Sequence, residues 1–374
     1  MLKEIKKIAM RNVANIPGWR TDRKIVVIES DDWGAIRMPS KEVYQRLLSE
    51  GISVSTSIYD QLDTLENRED LNALFDVIAS YTDFTGKHPV MTFNTVMGNP
   101  DFERIKDDSY ENYYFQHFYD TYKEYYQDDL SLLWYSAMQN GLIRPQFHGR
   151  EHVNVLLWMK ALQKDFNKVR LSFDNSCYIS KSTPSDKQKN YLASYWVESP
   201  EDLRNVKNIV KDGLDIFKET FGYYSESFIA NNYVFPVELE SILSDYGVKF
   251  IQGQRGHVSP HANNGKIRIR RNFTGQTNKD RQFFLVRNCF LEPSSNPDKD
   301  WVISCLQDVK TAFRWKKPAI ISSHRVNYIS GLSLENRKDG LKTLNRLLER
   351  ILERWPDVEF MSSDELGKTI RSNL

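Results

Sequence analysis

The sequence is poor in cysteine, in net charge and in long apolar runs. Its three cysteines, Cys177, Cys289 and Cys305, are odd in number and widely spaced among 374 residues, which argues against a disulfide framework and against a Cys-based zinc site. The 51 Lys and Arg residues nearly balance the 50 Asp and Glu residues. The chain as a whole therefore has no electrostatic attraction to nucleic acid or to an anionic membrane, and partners must be sought locally.

Long apolar segments are missing as well. No stretch approaches the roughly 18 apolar residues that span a membrane. The first ten residues alternate charged and apolar side chains, which predicts a short amphipathic helix instead of a secretory signal. We therefore expect a helical extension over residues 1–20 and a cytoplasmic protein without a membrane span.

Apolar runs and amphipathic helices alternate along the chain. The first run, Lys24–Ile28, is rich in β-branched residues and predicts a strand that is buried on both faces. Later patterns predict helices at 70–81, 200–221 and 301–314, each followed by another strand. The second predicted strand covers 89–96, and further strands are predicted at 282–291 and 358–361. This alternation is typical of a parallel α/β architecture, and the lack of a compositional linker favours one barrel-like domain over residues 21–374.

Two segments interrupt this pattern and are predicted to be insertions. The first, near 99–128, is acidic and rich in tyrosine. Its aromatic residues fit either a helix that packs against the barrel or a lid that stacks on sugar rings. The second, near 253–282, predicts a long loop or a small hairpin, and its basic cluster at 266–271 fits either a solvated strand face or a contact for an anionic substrate.

Carboxylate and imidazole side chains follow three of the predicted strands. Asp31 and Asp32 end the first strand. His148 and His152, four residues apart, follow a strand-like segment, and His324 ends a strand near the C terminus. Taken singly, each histidine is better explained by packing or capping. Because the carboxyl ends of parallel strands meet at one edge of a barrel, we expect all five side chains there. Two imidazoles and one carboxylate, with an open position for water, are typical of a hydrolytic zinc-type site.

These residues lie in motifs that resemble those of the polysaccharide deacetylases, carbohydrate esterase family 4. The motifs are the Asp-Asp-Trp-Gly turn at 31–34, the pair His148 and His152, and Ile-Ile-Ser-Ser-His at 320–324. Together with a closing helix and strand, they extend the resemblance over roughly residues 24–368. The resemblance implies an α/β fold, a distorted (β/α)7 TIM-like barrel with loop insertions.

The resemblance also implies an activity, a metal and residue roles. The family removes acetyl groups from N- or O-acetylated sugars or polysaccharide precursors with one divalent ion, for which zinc is favoured and cobalt, manganese and nickel are alternatives. It makes Asp31 the general base, Asp32, His148 and His152 the metal ligands, and His324 the general acid. In such a site the metal polarises the acetyl carbonyl, and the metal and a backbone amide hold the oxyanion.

One departure concerns the arginine that orients the base in this family, within an Arg-Pro-Pro-Tyr-like segment after a middle strand. Here that place reads Phe-Ile-Ala-Asn-Asn-Tyr at 228–233, without an arginine. We expect Arg287, near the end of another strand, to supply the missing cation, and we include it among the catalytic residues. The residues expected to contact the substrate are Trp33, Asn231, Asn232 and Tyr233.

Two other functions stay open. The missing arginine also fits a barrel that has lost turnover and only binds carbohydrate. The sequence at 148–152 also fits the H-x-x-E-H pattern of inverted-motif zinc peptidases, with Glu151 as the base. That pattern needs both histidines in a regular helix, which Pro145 and Gly149 disfavour.

A second histidine pair, His257 and His261, lies in the second insertion. Its Pro- and Asn-containing surroundings favour a loop or substrate rim over a separate metal site. The expected partner of the protein is an acetylated carbohydrate and not nucleic acid, and the sequence makes no prediction of the oligomeric state.

Overall fold

The computed structural model describes residues 9–179, 190–263 and 265–373. The strands of this part of the chain are β1 Lys24–Trp33, β2 Met91–Val96, β3 Gly98–Pro100, β4 Phe115–His117, β5 Ile143–Gly149, β6 Ser227–Phe228, β7 Phe250–Gly253, β8 Gly256–Pro260, β9 Ile267–Arg271, β10 Phe283–Val286, β11 Cys289–Phe290, β12 Ala319–His324 and β13 Val358–Met361.

Helices connect most of these strands. The α-helices are Lys41–Ser49, Ile58–Leu62, Arg68–Ala79, Phe102–Asp107, Phe118–Tyr126, Ser131–Gln139, Val155–Gln163, Asn167–Phe173, Pro200–Phe221, Glu240–Asp245, Trp301–Arg314, Leu334–Arg354 and Ser363–Ser372. Short 3-10 turns lie at Val54–Thr56, Asn231–Tyr233, Val237–Leu239, Pro293–Ser295 and Arg325–Tyr328.

Nine of the strands form one sheet in which the strand pairs are parallel. The order along the sheet is β10, β7, β6, β5, β2, β1, β12 and β11, and β13 pairs with the first half of β1. The sheet is strongly curled into a half-barrel, with helices in the connections. This architecture confirms the predicted α/β fold with a distorted barrel.

The side chains of β1 alternate between two parts of the core. Val26 and Ile28 belong to the large cluster between sheet and helices, whereas Ile25 and Val27 belong to a smaller cluster inside the barrel. All four are buried, which explains why the strand is a continuous apolar run. The last helix, Ser363–Ser372, contributes Leu366 and Ile370 to this smaller cluster.

A broken strand connects the two ends of the sheet. β10 pairs with β7 at one end and β11 pairs with β12 at the other, and only Arg287 and Asn288 separate β10 from β11. The sequence predicted one strand over 282–291, but the segment changes partners halfway. We call residues 287–288 the seam, because they lie where the chain passes from one edge of the curled sheet to the other.

The two predicted insertions contain regular structure. In the aromatic segment, an antiparallel hairpin of β3 and β4 leads into the helix Phe118–Tyr126, where Phe118 and Tyr122 have no exposed surface. These two residues pack in the core, which favours the packing interpretation over the lid. The second segment contains the antiparallel hairpin β8–β9.

The N-terminal segment packs on the outside of the barrel. Residues 9–14 are helical, in the predicted extension over residues 1–20, of which residues 1–8 lie outside the described part. Arg11 forms an ion pair of 2.5 Å with Asp308 in the helix Trp301–Arg314. None of the described helices combines the length and the apolar character that a bilayer span requires.

Candidate metal and catalytic site

The end of β1 directs two adjacent carboxylates to the same side. Strand alternation points Asp31 into the barrel, two residues beyond Glu29, and would point Asp32 away from it. The register between β1 and β2 shifts between Ser30 and Trp33, and Asp32 has a φ of 76°. This local bulge turns the Asp32 side chain back towards the cavity, so that both carboxylates face it.

Asp32, His148 and His152 form a compact buried group. Asp32 Oδ1 lies 2.9 Å from His152 Nε2 and 3.2 Å from His148 Nε2. His148 is in β5, and Gly149 begins the turn that returns His152 to the same place; a Cβ at Gly149 would lie 2.9 Å from the Tyr195 hydroxyl. Among the described residues this is the one group of three or more His, Cys, Asp and Glu side chains with metal-binding geometry.

The chemistry of this group fits a divalent metal ion. His148 Nδ1 lies 2.9 Å from the carbonyl oxygen of Ile229, a contact that can hold a proton on Nδ1 and leave the Nε2 lone pair to a metal ion. Burial would raise the pKa of Asp32, but His152 and the hydrogen bonds with both histidines lower it well below its usual range. Burial lowers the pKa of His152. An ionised carboxylate beside a neutral imidazole is what metal binding requires.

The distances between the ligand atoms also suit a metal ion. Tetrahedral coordination with bonds of about 2.0 to 2.1 Å places neighbouring ligand atoms about 3.3 Å apart, and the observed 2.9 and 3.2 Å are close to this. Asp32, His148 and His152 can therefore bind one ion of the zinc type, with room left for water or substrate on the cavity side.

Asp31 is held by Arg287 in a two-pronged ion pair. Arg287 Nη2 donates to Asp31 Oδ1 at 2.6 Å, and Nη1 donates to Oδ2 at 2.7 Å. Asn94 Nδ2 also donates to Oδ1, at 2.7 Å. Burial by itself would raise the pKa of Asp31, but the Arg287 guanidinium outweighs it and lowers this pKa to about 2. The carboxylate is therefore ionised, and its plane is fixed by the fork of the guanidinium.

The position of Arg287 is fixed in turn by hydrogen bonds to residues of the barrel interior and the cavity wall. Its Nε donates to Glu29 Oε2 at 2.6 Å, and Glu29 Oε1 accepts from the Ser363 hydroxyl at 2.7 Å. The Arg287 and Glu29 side chains have no exposed surface. Arg287 Nη1 also donates to the Tyr233 hydroxyl at 2.9 Å. Glu29, Arg287 and Asp31 thus form a line of alternating charge that rises from the barrel interior to the cavity.

His324 lies on the other side of Asp31. Its Nδ1 is 2.7 Å from Glu292 Oε1, and its Nε2 is 3.7 Å from Asp31 Oδ2. Asn327 Nδ2 donates to the other oxygen of Glu292 at 2.8 Å. Burial alone disfavours the charged imidazole, but Glu292 raises the pKa of His324 well above its usual value. The ring therefore carries a proton on the nitrogen that faces the cavity.

These groups share one cavity of about 420 Å³. The five residues predicted from the sequence to meet at a barrel edge all line it, as does Glu292. Other parts of its wall come from Arg37, Tyr59, Leu192, Asn232, Tyr233 and Phe290. The cavity therefore combines charged groups at its base with aromatic rings and an amide around them.

Two of the four expected substrate contacts lie away from the cavity in the structure. Trp33 has no exposed surface, and its ring stacks on Phe93 at 3.8 Å, because the bulge that turns Asp32 inward returns Trp33 to the core. Asn231 is also fully buried and is not part of the cavity wall. Asn232 and Tyr233 do line the cavity.

Sequence reasoning missed three residues that support the site. The inward orientation of Glu29 could have been predicted from strand alternation, because positions 25, 27, 29 and 31 of β1 face the same side. Asn94 lies within the predicted second strand, and Glu292 directly follows the strand predicted at 282–291. The sequence signal for each was therefore its place at or near a strand end, but the contacts with Arg287, Asp31 and His324 needed the three-dimensional structure.

The other histidine motifs do not extend the metal site. The peptidase pattern requires a helix, but His148 lies in β5 and the carboxylate of Glu151 is bound to Arg150 at 2.7 Å. His257 is buried in β8, where its Nε2 lies 2.8 Å from the carbonyl oxygen of Phe235, and His261 is exposed. Neither arrangement provides a second set of ligands.

Neither a protein-family model nor a curated protein matches the sequence. A solved structure from Parabacteroides distasonis, provisionally described as a glycoside hydrolase/deacetylase, matches with a TM-score of 0.50 and 10% identity over 96% of this chain and 73% of that one. One from Mycobacterium smegmatis, provisionally described as a polysaccharide deacetylase, matches with a TM-score of 0.45 and 10% identity over 96% and 93% of the two chains. A pseudoenzyme of carbohydrate esterase family 4 from Bacillus anthracis has a TM-score of 0.38, 10% identity and coverages of 92% and 65%. These similarities, distant in sequence, extend over nearly the whole chain and concern the fold.

Proposed function

We propose that this protein is a metal-dependent deacetylase that hydrolyses N- or O-acetyl groups on a sugar or polysaccharide precursor. One observation carries the proposal: a single cavity holds the Asp32, His148 and His152 group, a carboxylate fixed by arginine and a histidine bound to Glu292. The provisional description of the Parabacteroides distasonis structure, which has the same fold, agrees with this chemistry.

The proton acceptor of the reaction is Asp31. A divalent ion bound by Asp32, His148 and His152 would act as a Lewis acid on a water molecule and on an acyl oxygen. Asp31 faces the same cavity as an ionised carboxylate, and Arg287 and Asn94 prevent its rotation. It can therefore take a proton from the attacking water without reorganising, which is the geometric condition for general base catalysis.

The proton donor is His324. Because its Nδ1 is engaged by Glu292, the transferable proton is on Nε2, which lies on the cavity side near Asp31. Donation from Nε2 to the departing amine or alkoxide completes the hydrolysis and leaves acetate as the second product. The rings of Tyr59 and Tyr233 and the amide of Asn232 offer stacking and hydrogen bonds to a sugar.

The carbohydrate-binding alternative depended on the arginine missing from the segment after β6. The ion pair between Arg287 and Asp31 removes that reason, since the carboxylate has a cationic partner from the seam. Binding alone would need neither this carboxylate nor the Glu292–His324 pair. The alternative is tested below by separating metal binding from acetate release.

The first test measures bound divalent metal per chain by elemental analysis. We expect about one equivalent in the wild type and almost none in His148→Ala, because the variant lacks one of three protein ligands. The exposed histidine offers a matched control, so His261→Ala should retain the metal. No metal in the wild type after addition of zinc, cobalt or manganese would refute the ligand assignment.

The second test measures acetate release from acetylated chito-oligosaccharides and acetylated xylan. Asp31→Asn should retain the metal but lose activity by about 10² to 10⁴-fold, the usual contribution of a general base. If the loaded wild type binds these sugars without releasing acetate, the carbohydrate-binding alternative is correct. If Asp31→Asn turns over normally, another residue is the base.

A further inference from the structure

Exposed apolar side chains are concentrated on two segments outside the catalytic cavity. Of the sixteen large apolar side chains exposed in the described part of the chain, six lie in residues 9–16 and 266–273. They are Met10, Val13, Ile16, Ile267, Ile269 and Phe273. We call these two segments together the apolar–basic surface.

Arg255, which directly precedes β8, connects the two segments. Its Nη1 donates to the carbonyl oxygen of Val13 at 3.3 Å, and its own carbonyl oxygen accepts from the backbone of Asn272 at 2.9 Å. Next to the segments, the backbone of Trp19 donates to that of Thr274 at 2.8 Å. The N-terminal segment and the hairpin are therefore attached to the barrel side by side.

The hairpin is anchored through one strand and presents the other. His257 in β8 stacks on Phe235 at 4.0 Å, and Arg270 of β9 lies over the ring of Phe284 and pairs with Glu240. The other residues of β9 are exposed, including Ile269 with 65% of its surface accessible. An edge strand with large apolar side chains in water is unusual unless it is used for binding.

The charge of this surface is positive. Residues 266–273 contain four Lys and Arg residues and no Asp or Glu, and residues 9–16 contain one Arg and no acidic residue. Arg11 pairs with Asp308 and Arg270 pairs with Glu240, so that Arg268 and Arg271 are the exposed arginines of β9. Since the whole chain has a formal charge of only +1, positive charge is concentrated here and compensated elsewhere. Among the exposed residues of β9, Arg268 and Arg271 alternate with Ile267 and Ile269.

We propose that the apolar–basic surface docks the protein on an anionic phospholipid bilayer. Aliphatic and aromatic side chains enter the boundary between headgroups and acyl chains, while neighbouring Arg and Lys side chains pair with phosphates. A soluble polyanion would use the cations but leave Met10 and Ile269 in water. A second copy of the chain would bring like charges together across a two-fold contact. An anionic bilayer can bind both the apolar and the basic side chains of the surface.

The catalytic cavity and the apolar–basic surface are adjacent along the chain. Gln254 lines the catalytic cavity and is followed directly by Arg255, which contacts the N-terminal segment. This proposal does not depend on the deacetylase activity and can be tested without a substrate.

The test uses co-sedimentation of the full-length protein with lipid vesicles. We expect partition onto vesicles of phosphatidylcholine mixed with phosphatidylglycerol, at least about tenfold stronger than onto phosphatidylcholine alone, and weaker at high salt. Exchange of two exposed cations in Arg268→Gln/Arg271→Gln should lower the partition coefficient by about fivefold per charge. Ile269→Ser should lower it on both kinds of vesicle.

Matched controls use exposed residues elsewhere. Lys211→Gln and Leu132→Ser, the latter at a side chain that is 79% exposed, should leave the partition unchanged. No partition at low salt, or equal partition of the wild type and all variants, would overturn the proposal. Retention on dextran sulfate without binding to vesicles would identify a polyanion instead, and a dimer in sedimentation velocity that Ile269→Ser abolishes would identify a second copy.

Discussion

At the scale of single residues, Asp32 shows how one backbone angle sets the chemistry of the cavity. In a regular strand, Asp31 and Asp32 would point to opposite faces. The left-handed φ of Asp32 brings both carboxylates to one side. This conformation costs of the order of 1 kcal/mol, and Asp adopts it more readily than most other residues do. Strain of this kind is typical of sites where function requires a special geometry.

The second residue-scale feature is the buried line of Glu29, Arg287 and Asp31. Glu29→Gln keeps the ion pair between Arg287 and Asp31 but weakens the buried hydrogen bonds that Glu29 accepts from Arg287 Nε and the Ser363 hydroxyl. We therefore expect Glu29→Gln to lower the free energy of unfolding by about 1 to 3 kcal/mol, the usual cost of a poorly satisfied buried hydrogen-bonding group. The measurement is equilibrium unfolding in urea at neutral pH.

An exposed carboxylate–arginine pair provides the control. Glu359 accepts from Arg23 Nε at 2.8 Å, and 45% of the Arg23 side chain is exposed. Glu359→Gln should therefore cost less than about 1 kcal/mol. Equal losses for the two variants would show that the buried contacts of Glu29 contribute no more to stability than an exposed pair.

At the scale of secondary-structure elements, agreement with the sequence depended on whether the ends carried local signals. The helix Pro200–Phe221 was predicted with its observed bounds because Ser199 caps its start, proline occupies its first position and Gly222 ends it in a left-handed conformation. Strand β13 was likewise predicted at 358–361. These signals are local and can be read without the tertiary structure.

The errors concern features that depend on distant partners. The strand predicted at 282–291 breaks because β10 and β11 pair with different strands, and nothing in the local sequence specifies that change. Trp33 was misplaced because alternation was not expected to shift at Asp32. The residues at the strand ends were predictable, since the carboxyl edge of a parallel sheet gathers them, but the contact between Glu292 and His324 was not.

The hairpin β8–β9 gives a prediction on pH. Burial is the largest cause that lowers the pKa of His257, to about 4, and Arg270 lowers it further, while the hydrogen bond with Phe235 opposes the shift. An unfolded histidine titrates near 6.5. The neutral ring therefore contributes stability that is fully present above pH 6.5 and is lost as the pH falls through about 4.

Between pH 7 and pH 4, the wild type should lose about 3 kcal/mol more stability than His257→Gln, which has no group to protonate there. The measurement is urea unfolding of both proteins at each pH. His261→Gln, at an exposed position, should follow the wild type. The same pH dependence in His257→Gln and the wild type would contradict the assignment of a buried neutral imidazole.

At the scale of the whole molecule, metal binding should be coupled to folding. The ligands come from β1, β5 and the turn after β5, which are close together only in the folded chain. A ligand at about 100 times its dissociation constant stabilises the native state by about 2.7 kcal/mol. Cobalt or zinc should therefore raise the thermal unfolding temperature of the wild type by a few degrees.

Calorimetry of chelator-treated protein, with and without added metal, makes this measurement. His148→Ala should show no such rise, and magnesium should act more weakly because it prefers oxygen ligands. A rise of equal size in His148→Ala would place the stabilising metal at another site.

Composition averages also conceal whole-molecule organisation. The formal charge of +1 predicts no bulk attraction to polyanions. It does not describe the apolar–basic surface. There, two segments that are far apart in the sequence are brought together by the hydrogen bond from Arg255 to Val13. A net charge near zero therefore limits the average electrostatic field around a protein. It does not show whether positive and negative residues are segregated on the surface.

The seam has a consequence for how chains of this kind are recognised. The arginine that holds the carboxylate of Asp31 comes from the segment between β10 and β11, and not from the segment after β6 where the sequence motif would place it. On a sheet whose two edges are joined by the seam, neighbouring positions in space can be reached from either direction along the chain. A search pattern that fixes the order of residues will pass over such a substitution, whereas one written as distances between functional groups will detect it.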